Sequence, residues 1–358
     1  MCKIKIGIIG CGLISEVHIK SFKNCSNVEI IGVASATEKS AKFIALKYQI
    51  PYYFADYKKL LSLSELDAIV VCTPNYLHYP ITMEALDKGK HVLCEKPMAM
   101  NTQETIEMLK KAKEKNKLLM YAFVRRYLKE IVMKNKFGKI YHSNLILWRR
   151  RGIPGLGGWF TDKNMSGGGV IIDIGVHILD QLLYILGYPK SITVSASIYS
   201  IFGKRKKYNY IEMWGRRGEK RFNVEDYGTA FIRLEDDLTI TLECSLAANI
   251  EKDCWIINIL GEKYGARFEW DNKLEFYGEM EGIIADFNLY YKKRGIDEAF
   301  QIQADNFIKN ILTNKFSYKN AEEGIILQSL IEGIYRSAQK KKEIKLNEII
   351  NKKAYLIC

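Results

Sequence analysis

The sequence is short of the features that mark several protein classes. No apolar run in its 358 residues approaches the ~20 needed to cross a bilayer, which argues against an integral membrane protein. The opening Met1-Cys2-Lys3-Ile4-Lys5-Ile6 interrupts its apolar positions with lysine and does not read as a secretory signal. The eight cysteines (2, 11, 25, 72, 94, 244, 254 and 358) form no Cys-x-x-Cys pair and have no histidine partner nearby, so neither a zinc site nor a disulfide framework is expected. Cys72 follows the apolar run from Ala68 to Val71 and reads as a buried, inert thiol. Internal repeats, low-complexity tracts and linkers are absent from the pattern. The expectation is a metal-free chain of the reducing cytoplasm.

What is present is ordinary for a globular protein, with 48% hydrophobic and 27% charged residues. The length suggests about two domains and is enough to bury a core without staples. The formal charge of +13, from 54 basic and 41 acidic residues, raises nucleic acid as a partner. Lysine, however, is spread along the whole chain, and no helix gathers it with interleaved aromatics, so no nucleic-acid partner is expected. A solvated lysine-rich surface accounts for the charge; steering of an anionic small molecule is the other reading. Two local clusters, Lys204-Arg205-Lys206-Lys207 and Arg216-Arg217 with Lys220-Arg221, read as hairpin tips.

Through residue 122, short β-branched runs alternate with amphipathic stretches. Ile4 to Ile9, Val28 to Val33, Ala68 to Cys72, His91 to Cys94 and Leu118 to Tyr121 read as strands, and Tyr76 to Lys88 and Thr102 to Lys115 as helices. Nearly all-apolar strands between helices predict a doubly wound parallel sheet covered on both faces, an α/β Rossmann domain over 1–122. From 123 to 358 the pattern is α+β. One helix, Gly168 to Leu186, precedes strands at Ser191 to Ile201, Gly228 to Leu234, Leu238 to Leu246 and Trp255 to Leu260. Asp236-Asp237 joins two of these runs as a tight hairpin turn, which predicts a large, mostly antiparallel open sheet. Two closing helices are expected, Asp297 to Asn314 and Ala321 to Lys340.

Gly10-Cys11-Gly12-Leu13-Ile14-Ser15 follows the first strand and opens a helix, the context in which a Gly-x-Gly turn binds a dinucleotide. Gly10 permits the tight turn, and Gly12 lets the backbone approach a pyrophosphate at the helix N-terminus. Leu13 and Ile14 complete the cofactor-binding turn, and Ser15 replaces the third glycine with another small residue. Ser35 stands where a carboxylate would hold a ribose 2′-hydroxyl, and no arginine follows it. Ser35, Thr37 and Lys39 are suited to a phosphate, which tips the reading to NADP and leaves NAD open.

Two further segments carry chemistry. Glu95-Lys96-Pro97 directly follows a strand, at the carboxyl edge where open α/β sheets bind ligands. An exposed loop lysine is the bland alternative, but Pro97 suggests a fixed direction, with a cis bond as one form. In the segment from Ser166 to Asp180, Asp173 and His177 are i, i+4 on a helix, and Asp180 is a further i+3. A carboxylate beside an imidazole can orient it and tune it for proton transfer near neutral pH. A buried structural His–Asp pair is the alternative.

Taken together, Gly10-x-Gly12, Thr73-Pro74-Asn75-x-x-His78, Glu95-Lys96-Pro97 and Gly167-Gly168-Gly169…Asp173…His177 resemble the Gfo/Idh/MocA oxidoreductases in residue type and in order. The resemblance spans residues 1 to about 340; Ser15 and the stretch after Ser35 are its departures. It implies an N-terminal Rossmann domain and an open-sheet domain whose outer face forms a homo-dimer or homo-tetramer contact. It also implies hydride transfer between a nicotinamide and a carbinol or keto carbon of a sugar, a cyclitol or a sugar derivative. By motif position, Lys96, Asp173 and His177 are catalytic. Lys96 would stabilise developing alkoxide charge, while His177 would move the hydroxyl proton with Asp173 bracing it. Thr73, Pro74, Asn75 and His78 would line the dinucleotide, with Glu95 beside the nicotinamide.

Substrate candidates besides these three are Trp159, as a flat wall for a sugar ring, Lys163 for a hydroxyl or phosphate, and Arg126 for an anionic group, with Arg149-Arg150-Arg151 as further cations. Two other readings are kept. One is an elimination or glycoside cleavage with tightly bound, recycled NAD(H); the other is a non-catalytic dinucleotide sensor.

Overall fold

The computed structural model describes residues 3–128, 137–205, 213, 215, 218, 222–269, 274–289, 294–314 and 316–350. They form two compact units. One contains the chain up to 128 together with 294–325; the other contains 129–293 with 326–357. Lys206, Lys207, Arg216, Arg217, Lys220 and Arg221, expected at hairpin tips, lie outside the described residues.

The first unit begins β1 (Ile4–Ile9), α1 (Leu13–Lys23), β2 (Val28–Ala34), α2 (Glu38–Tyr48), β3 (Tyr52–Phe54) and α3 (Tyr57–Leu61). It continues β4 (Ala68–Val71), α4 (His78–Asp87), β5 (His91–Cys94), α5 (Thr102–Glu114) and β6 (Leu119–Tyr121). The strands form one parallel sheet in the order β3-β2-β1-β4-β5-β6. The chain reverses its direction of winding between β1 and β4, the switch point at which such sheets bind ligands. Helix starts are set by side chains: Thr37, Asp56 and Asn101 accept the N–H of Ser40, Lys58 and Glu104, caps contributing about 1 kcal/mol each. Ile6, Ile8, Ile19 and Phe22 are fully buried in its core, and each such side chain contributes about 2 kcal/mol by leaving water.

In the second unit β7 (Ile140–Trp148) leads to the short α6 (Lys163–Ser166), a π turn at Ile171–Gly175 and α7 (Val176–Leu186). Then come β8 (Ser191–Tyr199), β9 (Tyr227–Leu234), β10 (Thr239–Ser245), β11 (Cys254–Gly261), β12 (Tyr264–Glu269), β13 (Leu274–Met280) and β14 (Ile283–Leu289). With β15 (Ile344–Lys345) they build a nine-stranded sheet in the order β14-β13-β12-β11-β7-β10-β9-β8-β15. Every pairing is antiparallel except β7 with β10. The turn between β9 and β10 forms as expected: Asp236 and Asp237 have φ of 58° and 60°, the left-handed pair that a tight hairpin requires.

The chain closes with α8 (Ile296–Thr313) and α9 (Lys319–Lys340). Helix α8 sends Ala304, Phe307, Ile308 and Ile311 into the core of the first unit, where the Phe307 ring meets Phe22 edge-on at 6.2 Å. One stretch, Lys163–Leu186, is long and apolar enough to cross a membrane by length and composition, but 83% of its most apolar window is buried within the fold. Its polar Lys163, Asn164, Asp173, His177 and Asp180 kept it from reading as a continuous apolar run.

Candidate active site

In the first unit the expected cofactor residues gather at one sheet edge. Ile9, Val71 and Cys94 end neighbouring strands in register, so the turns after β1, β4 and β5 lie side by side. Gly10 has φ +101°, and a Cβ there would lie 2.3 Å from the Cys72 carbonyl oxygen, so only glycine fits. A Cβ on Gly12 would meet nothing within 4 Å, leaving open space at the N-terminus of α1. Leu13 beside it is 61% exposed. Ser15 is fully buried, and its hydroxyl donates to the Gly12 carbonyl, which shows how a serine is accommodated at the third glycine position. At the β4 turn, Thr73 Oγ1 is buried without a hydrogen-bond partner among the described residues. An open glycine cradle at a helix start and an orphaned hydroxyl on the adjacent turn fit a dinucleotide.

The turn after β2 divides its side chains. Thr37 Oγ1 is the cap of α2 and donates to Ser40 Oγ at 2.8 Å. The Cys11 thiol donates to the Ala34 carbonyl oxygen at 3.7 Å, and burial pushes its pKa up to about 11. Lys39 is exposed, and Glu38 puts negative charge in the first turn of α2.

From His91 to Ala99 every residue is buried except Lys96. The Lys96–Pro97 bond is cis, the form the sequence left open. Glu95, 8% exposed, accepts His18 Nε2 at 2.7 Å through one oxygen and the Lys96 backbone N–H at 3.1 Å through the other. His78, expected to line the dinucleotide, is fully buried instead. Its Nδ1 lies 2.6 Å from the Pro97 carbonyl oxygen and its Nε2 3.0 Å from that of Thr73. Burial holds its pKa below the usual histidine value despite the two backbone contacts. His18 was missed by the sequence reading, since a lone histidine on a helix carries no signal of its partner.

Arg126, expected to meet an anionic substrate, is buried, ion-paired with Glu323 and laid over the Phe123 ring at 4.4 Å. The arginine run is likewise engaged. Arg149 donates to the Gly152 carbonyl, Arg150 to that of Glu251, and Arg151 to the Ala248 carbonyl and the Asn249 side chain.

In the second unit, residues 168–183 are buried except His177. Asp173, 8% exposed, lies four residues earlier, in the π turn rather than in the regular α-helix expected. There the Val176 N–H reaches back to the Ile171 carbonyl, the wider winding that marks many functional sites. The glycines before it are required by neighbours. A Cβ on Gly168 would lie 2.0 Å from the Tyr335 hydroxyl, and one on Gly169 would lie 1.9 Å from the Glu225 carbonyl oxygen. Asp180, by contrast, receives the Tyr188 hydroxyl in the core. Trp159 stacks on Phe160 with ring centroids 3.7 Å apart and stays partly exposed, and Lys163 is exposed at the start of α6. Chemically, the first unit offers a half-exposed ammonium at a nucleotide-binding edge, and the second a half-exposed imidazole with a buried carboxylate four residues before it.

Residues 4–123 match an oxidoreductase family with an NAD-binding Rossmann fold, and residues 125–284 match the GFO/IDH/MocA C-terminal domain. Over 356 residues the chain is 31% identical to the D-glucoside 3-dehydrogenase of Escherichia coli (strain K12), covering 96% of this chain and 97% of that one. Over 374 residues it is 27% identical to the glucose-6-phosphate 3-dehydrogenase of Bacillus subtilis (strain 168), covering 96% and 99%. Its fold matches that of a levoglucosan dehydrogenase solved with NADH and L-sorbose, at a TM-score of 0.84 and 20% identity, covering 97% and 99% of the two chains.

Proposed function

This chain belongs to the Gfo/Idh/MocA oxidoreductase family, and on that premise we propose that it oxidises the C3 carbinol of a D-glucoside to the ketone, with NAD as acceptor. The observation that carries the reading is that Lys96 and His177 are each the single half-exposed residue in an otherwise buried run, at the positions where the family motifs set the chemistry. Residues 1–122 bind the dinucleotide, and residues 123–358 bind the sugar and form the oligomer contact.

When bound, the dinucleotide supplies the hydride acceptor. Gly10, Gly12, Leu13, Ile14 and Ser15 bring the backbone and the α1 N-terminus to its pyrophosphate, and Thr73, Pro74 and Asn75 line it, with the Thr73 hydroxyl as a donor. Lys96 stabilises negative charge as it develops on the substrate oxygen. His177 would accept the hydroxyl proton, with Asp173 bracing the imidazole. Trp159 supplies an apolar wall for the sugar ring, and Lys163 a contact to a hydroxyl.

The engagement of Arg126 and Arg149–Arg151 by protein groups favours a neutral sugar over a phosphorylated one. NAD is favoured over NADP because Thr37 is used as a helix cap and Glu38 in the first turn of α2 would oppose a 2′-phosphate. One face of the nine-stranded sheet carries buried Leu145, Leu242 and Ile257. On the other, the half-buried Ile146, Trp148, Phe231 and Ile256 support a homo-oligomer formed through that face. A cytoplasmic location accords with the six free thiols among the described residues.

The test is an assay with NAD and, separately, NADP against methyl glucoside, glucose, glucose 6-phosphate and myo-inositol. The proposal expects reduced dinucleotide with methyl glucoside and more of it from NAD. Absence of reduced dinucleotide with every sugar and cyclitol would overturn it. Consumption of the glucoside without net reduction would instead favour a recycled cofactor.

A further inference from the structure

We infer that His18 and His78 are positioning residues for Lys96, holding the residues on either side of it from two different helices. The inference rests on the reading of Lys96 as the group that meets the reacting oxygen. His18 lies on α1, the helix that opens at the dinucleotide turn, and is 1% exposed. Its ring is fixed by the edge of Phe300 at a centroid distance of 5.3 Å and by Phe22 at 6.4 Å. Its Nε2 meets Glu95 Oε1, and the other oxygen of that carboxylate takes the backbone N–H of Lys96 itself. A buried carboxylate left without its partner must move, protonate or recruit another donor, and any of these changes redirects the peptide unit of Lys96.

On the other side, His78 at the start of α4 lies 2.6 Å from the Pro97 carbonyl oxygen and 3.0 Å from that of Thr73, so one ring spans the β5 and β4 turns. A neutral imidazole carries one N–H and donates to one of the two oxygens at a time. Neither ring reaches solvent, so neither can touch a substrate. Their influence passes through Lys96, the one residue of this segment that emerges. Displacement of a reacting group by about 1 Å can cost about a hundredfold in rate, which is the sensitivity such a brace serves.

The test uses His18→Asn, too short to reach Glu95, His18→Gln, which keeps a donor within reach, and His78→Leu. The first readout is trace labelling with acetic anhydride in the dinucleotide-free protein, with the modification rate of each lysine read by mass spectrometry. The second is kcat with NAD and methyl glucoside, alongside the NAD dissociation constant. Both His18→Asn and His78→Leu are expected to change Lys96 labelling by about threefold or more while other lysines keep their rates. Each should lower kcat by about tenfold or more with NAD affinity within about threefold, and His18→Gln should recover most of the loss. Parental Lys96 labelling and kcat in both variants would overturn the inference. If His18→Asn does not fold, Glu95→Gln keeps the shape and removes the charge that His18 meets, and unchanged Lys96 labelling there overturns it equally. Parental turnover in Lys96→Met would mark failure of the underlying reading, a result separate from these.

Discussion

The Tyr335 hydroxyl donates to the Glu225 carboxylate at 2.8 Å, and the same carboxylate oxygen takes the backbone N–H of Gly169 at 2.9 Å and of Ile171 at 3.1 Å. Burial raises the Glu225 pKa, while these donors act in the opposite direction. A single buried carboxylate therefore ties down the start of the segment that carries Asp173 and His177. Gly168 and Gly169 leave the room that the Tyr335 ring and the Glu225 backbone occupy beside this segment.

Two glycine substitutions should accordingly separate folding from binding. Gly169→Ala places a Cβ 1.9 Å from the Glu225 backbone oxygen, which is expected to cost at least the upper end of the about 1–3 kcal/mol seen for overpacking. Gly12→Ala meets no atom within 4 Å, so its thermal midpoint should match the parent while its affinity for NAD falls. Thermal unfolding with and without NAD reads both, and a parental midpoint for Gly169→Ala would contradict the packing described.

Arg126→Ala should act on stability rather than on substrate recognition. The arginine and Glu323 are 4% and 7% exposed at their side chains, and breaking a buried pair costs about 3–5 kcal/mol. A lowered thermal midpoint with KM for methyl glucoside within about twofold is expected, since the guanidinium is spent on protein groups. A parental midpoint with a raised KM would restore the substrate contact expected from sequence.

Acid stability should carry the mark of His91. Its Nδ1 accepts the Leu118 N–H at 3.0 Å, and burial lowers its pKa from 6.5 to about 4. Between these values the unfolded chain binds a proton that the native protein refuses. This contribution is fully present above pH 6.5 and is lost as pH falls toward 4, with a limiting slope of about 1.4 kcal/mol per pH unit. His91→Asn, which retains an acceptor, should flatten that part of the profile in denaturant titrations at stepped pH. An identical slope in parent and variant would refute the assignment.

The legible parts of the fold were those where one local pattern decides the outcome. The strand runs of the first unit are nearly all apolar because helices cover both faces, and the turns that follow them carry Gly10, Thr73 and Glu95. The Asp236-Asp237 turn was equally readable, because both residues tolerate the left-handed region. Strand β7, at the centre of the second sheet, was missed because His142, Ser143 and Asn144 dilute its apolar content, although its alternation is regular. The later strands β12 to β14 lay beyond the runs that were recognised. Partners far apart in sequence were illegible in principle. Nothing near Arg126 announces Glu323, nothing near Gly169 announces Glu225 and Tyr335, and nothing near Glu95 announces His18. Lys96 and His177 could be picked out as residue types in motifs; their standing as lone openings in buried runs required the fold.

The reaction proposed for this chain moves hydride from the C3 carbinol of a glucoside to a nicotinamide, with Lys96 in charge of the oxygen. Methyl glucoside deuterated at C3, incubated with NAD and the parent enzyme, tests it directly when the reduced dinucleotide is examined by mass spectrometry. The prediction is deuterium in the reduced nicotinamide, falling by about a hundredfold or more in Lys96→Met. Unlabelled reduced dinucleotide, or undiminished labelling in Lys96→Met, would contradict it.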